Sequence, residues 1–154
     1  MHRLTVTSRL DAPASVVWAA ALEPATFVFV ARRMLRYRPA EGHRGPWRAG
    51  DDLRGWTLAF GALPLSRHRL VVDLVDHDEF VLVTSEGGGL VRSWRHRISV
   101  RPVDAASCRY RDEVVIDAGR ATGPVTFLAT AFFRHRHRRW RQLAPVLAAL
   151  DVDS

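Results

Sequence analysis

From Leu53 to Asp117 the chain reads as one strand after another, and no connection in that stretch is long enough to hold a helix. "LRGWTLAF", "SRHRLVVDLVDHD", "EFVLVTSE", "VRSWRHRISV" and "CRYRDEVVID" place apolar residues at alternating positions. The breaks "GALP", "GGG" and "PVDAAS" are turns. Parallel neighbours need a crossover of about a dozen residues or more, so strands joined this closely must form an antiparallel sheet.

The elements on either side complete the order. A first strand runs from about Arg3 to Leu10, with Leu4, Val6, Ser8 and Leu10 on one face. Asp11 is placed to cap a helix, "APASVVWAAAL", with Pro13 in its first turn. Pro24 starts a second short helix, "PATFVFVARR", and "MLRYR" is another strand. "PAEGHRGPWRAGDD" is rich in Gly and Pro and reads as a loop. From Thr126 to Leu150 the pattern becomes helical, with Val125, Leu128, Phe132, Leu143, Leu147 and Leu150 on one stripe. Pro145 should kink or split that helix. The expectation is one domain over residues 1–154: strand, two short helices, six strands, and a long amphipathic helix on the concave face of the sheet.

Composition narrows the function classes. A 154-residue chain that is 47% hydrophobic can bury a core. No apolar run approaches the roughly 18 residues of a membrane helix, and "MHRLTVTSRLDAP" has no apolar signal-peptide centre, so a soluble, cytoplasmic protein is expected. The lone Cys108 rules out an internal disulfide. The net charge is +7, and all 23 basic residues counted as Lys or Arg are arginine. A G/C-rich genome accounts for that usage; a polyanion or anionic-membrane surface is the sharper reading.

"TSRLDAPASVVW", "PWRAGDDL", "WRHRISV", "CRYRDEVVI" and "FFRHRHRRWRQL", taken in this element order, resemble the START-like (SRPBCC) superfamily of polyketide cyclase/dehydrase and lipid-transport proteins. The resemblance covers nearly the whole chain. It implies an α+β helix-grip fold, in which a seven-stranded curved antiparallel sheet wraps around the C-terminal helix. It also implies an apolar ligand in the cavity between them, without fixing a reaction.

Polar residues mark where such a ligand would be oriented. In "VRSWRHRISV", Trp94, His96, Ile98 and Val100 share the face opposite the wetter Arg95 and Arg97, with Arg92 in the same phase. In the next strand Cys108, Tyr110, Asp112, Val114 and Ile116 face one way, so Asp112 can hydrogen-bond His96. On the helix, Arg136 and Arg139 fall within the sheet-facing stripe, where a guanidinium needs an anion, open water or a ligand's acidic end. Trp56 and Phe60 follow the long loop and are candidates for the cavity wall; Trp18, Trp47 and Trp140 read as packing. The expected binding set is Trp56, Phe60, Trp94, His96, Tyr110, Asp112, Phe132, Arg136 and Arg139.

The leading reading is a protein that binds a hydrophobic small molecule, lipid-, polyketide- or aromatic-like, with one polar or anionic end. The enzyme alternative is a cyclase or dehydrase in which His96, oriented by Asp112, moves a proton, Tyr110 serves as a further acid, and an arginine stabilises the oxyanion. No second clear acid–base pair is evident in the sequence. A third alternative is nucleic-acid or protein interaction through the basic helix face of "RHRHRRWRQL", with nucleic acid disfavoured because half the helix must cover the sheet. No cofactor is called for. No metal site is expected either, since His135 and His137 are two apart on a helix and face different ways.

Overall fold

The computed structural model describes residues Met1–Ser154. Seven strands form one antiparallel sheet: β1 (His2–Leu10), β2 (Leu35–Tyr37), β3 (Asp52–Ala59), β4 (Leu63–Asp76), β5 (Val81–Gly88), β6 (Val91–Asp104) and β7 (Ser107–Asp117). Their spatial order is β1-β7-β6-β5-β4-β3-β2. Five strands follow one another as hairpins, and β1 closes the far edge by pairing with β7 from His2↔Ile116 to Leu10↔Cys108. Helices α1 (Ala14–Ala21) and α2 (Pro24–Ala31) follow β1, and α4 (Thr122–Val152) ends the chain. This is a helix-grip fold, a curved antiparallel sheet against a long C-terminal helix.

Several local expectations are corrected. Pro13, not Asp11, is the N-cap of α1, and no side chain caps that end. The segment after β2 opens with a short helix, α3 (Arg38–Gly42), started by Pro39 where its missing N–H costs nothing. Helix α4 runs unbroken through Pro145. Pro145 is exposed, so the Arg141 carbonyl that loses its donor can turn to water. The bulge between Val72 and Leu74 reverses the phase of β4, leaving Leu74 44% exposed, and Val75 packs against the core instead.

The buried line of α4 is Thr126, Ala129, Phe133, Arg136, His137, Trp140 and Ala144. It lies about one residue C-terminal to the expected stripe. Small residues at 126, 129 and 144 let the helix seat closely. The larger Val125, Leu128 and Phe132 flank that line and border unfilled space. Leu150 is exposed.

The principal core joins α1, the inner face of the sheet and the middle of α4, with Val17, Val100, Cys108, Tyr110 and Trp140 almost completely buried. No single helix is long and apolar enough to cross a membrane. The α1–α2 pair passes that test only together, across a 90° bend, and most of α1 is buried in this core.

Candidate functional site

The sheet and α4 do not fill the space between them. A cavity of about 450 Å³ remains, lined mostly by hydrophobic side chains from α2, β3 to β6 and α4. Its polar lining is small: Thr57, Ser66, His68, Thr84, Glu86, His96 and Arg136 are the members that bear on its chemistry.

Strand alternation places His96 here. β6 turns Trp94, His96, Ile98 and Val100 inward, while Arg95 and Arg97 stay exposed. On β7, Ile98 pairs with Asp112 and His96 with Val114, so His96 and Asp112 are diagonal neighbours on one face. The expected bond is present: His96 Nε2 lies 2.7 Å from Asp112 Oδ1. Phe133 meets the His96 ring edge-on at 5.1 Å.

Asp112 is the hub of a buried network. His137 Nε2 lies 2.9 Å from Oδ2, Tyr110 donates to Oδ1 over 3.5 Å, and Arg136 Nη2 donates to the Tyr110 hydroxyl at 2.8 Å. Arg136 Nε is 3.3 Å from Oδ2, an ion contact whose angle does not make a hydrogen bond. An ionised carboxylate only accepts, so both imidazoles donate to it through Nε2. The other nitrogen of His137 faces Ser8 Oγ at 2.8 Å, and Ser8 Oγ accepts from Arg141 Nη1 at 2.9 Å. A single chain of donors therefore runs Arg141, Ser8, His137, Asp112. No protein group bonds Nδ1 of His96, and His96 is part of the cavity wall.

Burial alone would raise the Asp112 carboxyl. The Arg136 charge, with the donors His96 and His137, outweighs it and holds Asp112 well below the usual carboxylate range. Burial pushes the Tyr110 hydroxyl well above its ordinary value, against the lowering effect of Arg136. The Cys108 thiol is pushed up to about 11 by burial, which removes it as a nucleophile near neutral pH.

A second pair lines the same cavity. His68 Nε2 donates to Glu86 Oε2 at 2.9 Å, and Thr84 Oγ1 donates to Oε1 at 2.7 Å. Burial would raise Glu86, but its bond to His68 and the nearby histidines hold it below the ordinary value. Tyr37 fixes this side by donating to the carbonyls of Leu53 and His68 at 3.0 and 3.1 Å. His68 and Glu86 thus form a second histidine–carboxylate pair, where the sequence leads to the expectation of none. Both were readable, since His68 alternates with Leu70 and Val72, and Glu86 with Leu82 and Thr84.

Of the expected residues, Phe60, Trp94, His96, Phe132 and Arg136 line the cavity. Tyr110 and Asp112 are fully buried behind that wall and act on it through His96 and Arg136. Trp56 is misplaced: it is 46% exposed and off the cavity, because β3 presents Thr57 and Ala59 instead. The inward phase of that strand is set by Leu53 and Thr57, one residue off the phase of Trp56. Arg139 is also off the cavity, with its guanidinium 4.2 Å above the Phe29 ring of α2. Trp47 and Trp140, read as packing only, reach the cavity, and the indole N–H of Trp140 is buried without a partner. His137 was missed, since only the three-dimensional approach of α4 to β7 reveals it. No group of His, Cys, Asp and Glu is arranged to hold a metal ion.

A family model described as "Domain of unknown function (DUF8410)" matches residues 8–144. The chain belongs to this family. No curated protein matches it. Among solved structures, this DUF8410 member is similar to a START superfamily protein from Mycobacterium smegmatis, with 15% identity and a TM-score of 0.66 over 96% of this chain and 99% of that one. It is similar to the Zhui aromatase/cyclase from Streptomyces sp. R1128, with 12% identity and a TM-score of 0.66 over 94% and 93%. It is also similar to norcoclaurine synthase from Thalictrum flavum, in complex with dopamine and hydroxybenzaldehyde, with 15% identity and a TM-score of 0.67 over 92% and 85%. At these identities the likeness establishes the fold.

Proposed function

We propose that this DUF8410 protein binds a largely apolar small molecule in the cavity, with one polar or anionic end directed at Arg136 and His96. The observation that carries this reading is an unfilled, mostly apolar cavity of about 450 Å³ whose few polar groups are held in place by buried partners. Apolar burial at ~25 cal/mol per Å² supplies affinity. The guanidinium fork, anchored by Tyr110 and Asp112, supplies orientation. A START superfamily protein, an aromatase/cyclase and an enzyme held with two small aromatic compounds share the architecture, which is consistent with a cavity built for such ligands.

Two fluorescent probes test it. Anilinonaphthalene sulfonate carries an anionic end and N-phenylnaphthylamine does not; both are expected to bind, with affinity lost in Ala59→Trp, which projects a large ring into the cavity from β3. Arg136→Lys keeps the charge beside Asp112 but removes the fork. It should weaken the sulfonate about tenfold and leave the neutral probe unchanged. Binding of both probes that survives Ala59→Trp would place them elsewhere and defeat the proposal.

Acid–base catalysis on a carbonyl compound, of the cyclase or dehydrase kind, is the second reading. It is favoured by the unpartnered His96 Nδ1 and by the His68–Glu86 pair on the same wall. For a polycarbonyl substrate that the protein turns over, His96→Ala should slow the chemical step about a hundredfold or more. Unchanged turnover would remove His96 from the mechanism. Nucleic-acid binding is the weakest reading. Arg136, His137 and Trp140 of "RHRHRRWRQL" are buried and Arg139 lies over Phe29, so the tryptophan and two of its five arginines are not free to meet a nucleic acid.

A further inference from the structure

We infer that the open end of the cavity is a docking surface for an anionic lipid bilayer. Strand direction brings the β3–β4 turn, the β5–β6 turn, the start of β2 and the start of α4 to one end of the molecule. Contacts tie these segments into a rim. Phe60 N donates to Met34 O at 3.0 Å, Gly89 lies against Ser66, and the Arg92 guanidinium lies against Gly119.

This rim is apolar and exposed. Phe60, Leu63, Leu65, Leu90, Phe127 and Leu128 are between 58% and 76% exposed, and they come from three separate elements. Phe60, Leu65 and Leu128 also line the cavity, so the outer surface is continuous with its interior. Phe60 is held there at φ 51°, a backbone conformation that bulky side chains rarely adopt. An apolar patch of this kind marks an interaction site in a water-facing protein.

Charge selects the partner. Arg33, Arg67, Arg92 and Arg120 stand on the same segments, all exposed and none bonded to an acidic side chain. Residues 31–36, 59–67, 87–92 and 118–128 contain no Asp or Glu. The nearest acids are Glu86, bonded by His68 within the cavity, Glu41, paired with Arg36, and Asp117, which accepts the Gly119 N–H. The opposite end of the sheet carries Asp76, Asp78, Glu79 and Asp104 at its turns; Glu79 is paired with Arg101 and Asp104 with Arg9, which leaves Asp76 and Asp78 without a cationic partner. Unpaired cations therefore gather at the open end and unpaired acids at the other, so the open end is the one an anionic surface attracts. Aliphatic and phenyl groups projecting from three tips, between free guanidiniums, suit acyl chains below phosphate headgroups. In that pose an apolar ligand passes between bilayer and cavity without crossing water.

Vesicle association is read with no cavity ligand present, so its outcome is independent of the ligand-binding proposal. The whole protein is pelleted with phosphatidylcholine vesicles, with and without one third phosphatidylglycerol. Partitioning should be about tenfold or more stronger on the anionic vesicles and should fall as salt rises. Leu90→Ser with Phe127→Ser alters exposed residues outside the cavity wall, and should lower partitioning about tenfold or more while leaving circular dichroism and probe binding unchanged. Arg67→Gln with Arg120→Gln should lose about fivefold per arginine, on anionic vesicles only. The inference is overturned by no pelleting on either vesicle, or by pelleting that both double variants leave intact. It is also overturned by a dimer that Leu90→Ser with Phe127→Ser dissolves in protein that ignores vesicles, since the rim would then be a contact between two copies.

Discussion

Asp112→Ala should cost about 3–5 kcal/mol of unfolding free energy, measured by urea denaturation, because it strands a buried cation. Arg136 is 4% exposed, and its only carboxylate partner is Asp112. Removing that carboxylate also takes away the acceptor of the His96 and His137 Nε2–H groups. A domain whose total stability is about 5–15 kcal/mol has little margin for such a loss. The control is Asp112→Ala combined with Arg136→Met, which replaces the stranded guanidinium by an apolar chain of similar length. Most of the lost stability should return, as it does when buried ion pairs are exchanged for hydrophobic residues. The two sites touch, so their effects should be far from additive. A single variant within about 1 kcal/mol of wild type would mean that water already solvates the pair, and the hub role of Asp112 would be wrong.

The same residues show why parts of this site were legible in the sequence. β6 and β7 alternate without interruption, so Trp94, His96, Ile98 and Val100 face Tyr110, Asp112 and Val114, and the His96–Asp112 bond follows from pairing two adjacent strands. Where a bulge intervenes, alternation fails as a guide. Leu74 follows such a bulge, and a one-residue slip moves every later side chain to the other face. Trp56 precedes the irregularity in its own hairpin and was lost for another reason: it is the larger apolar residue, yet β3 alternates in phase with Leu53 and Thr57. In α4 the difficulty was different. Its buried line contains Thr126, Ala129, Arg136, His137 and Ala144, which carry little hydrophobic signal. The apolar pattern instead marked the flank beside the cavity, where Val125, Leu128 and Phe132 border unfilled space. A cavity-forming helix weakens the link between apolarity and burial, because part of its apolar surface is left uncovered for a ligand. His137 could not be found by local reasoning, because Ser8 and Asp112 reach it from strands 129 and 25 residues away in sequence.

The carboxylates also set how the protein responds to acid. Asp112 and Glu86 are both held below their ordinary values: burial raises each, and is outweighed by Arg136 and the histidines at Asp112 and by the His68 bond at Glu86. A carboxyl depressed in the folded state contributes stability that is fully present above its unfolded pKa of about 4. That contribution is lost as pH falls through the folded value. Unfolding free energy should therefore lose its carboxylate-linked stability only below about pH 4, by about 2–3 kcal/mol for a strongly depressed carboxyl. Exposed acids such as Asp52 are screened by solvent and should add little to that limb. Asp112→Asn cannot titrate, so its acid limb should be shallower than that of wild type although its plateau lies lower. Combining Asp112→Asn with Glu86→Gln should flatten it further. Denaturant melts of the three proteins across the acid range give the comparison. Parallel limbs in all three would mean that neither buried carboxylate is depressed, and that Arg136 and the cavity histidines do not hold the charge network assigned to them.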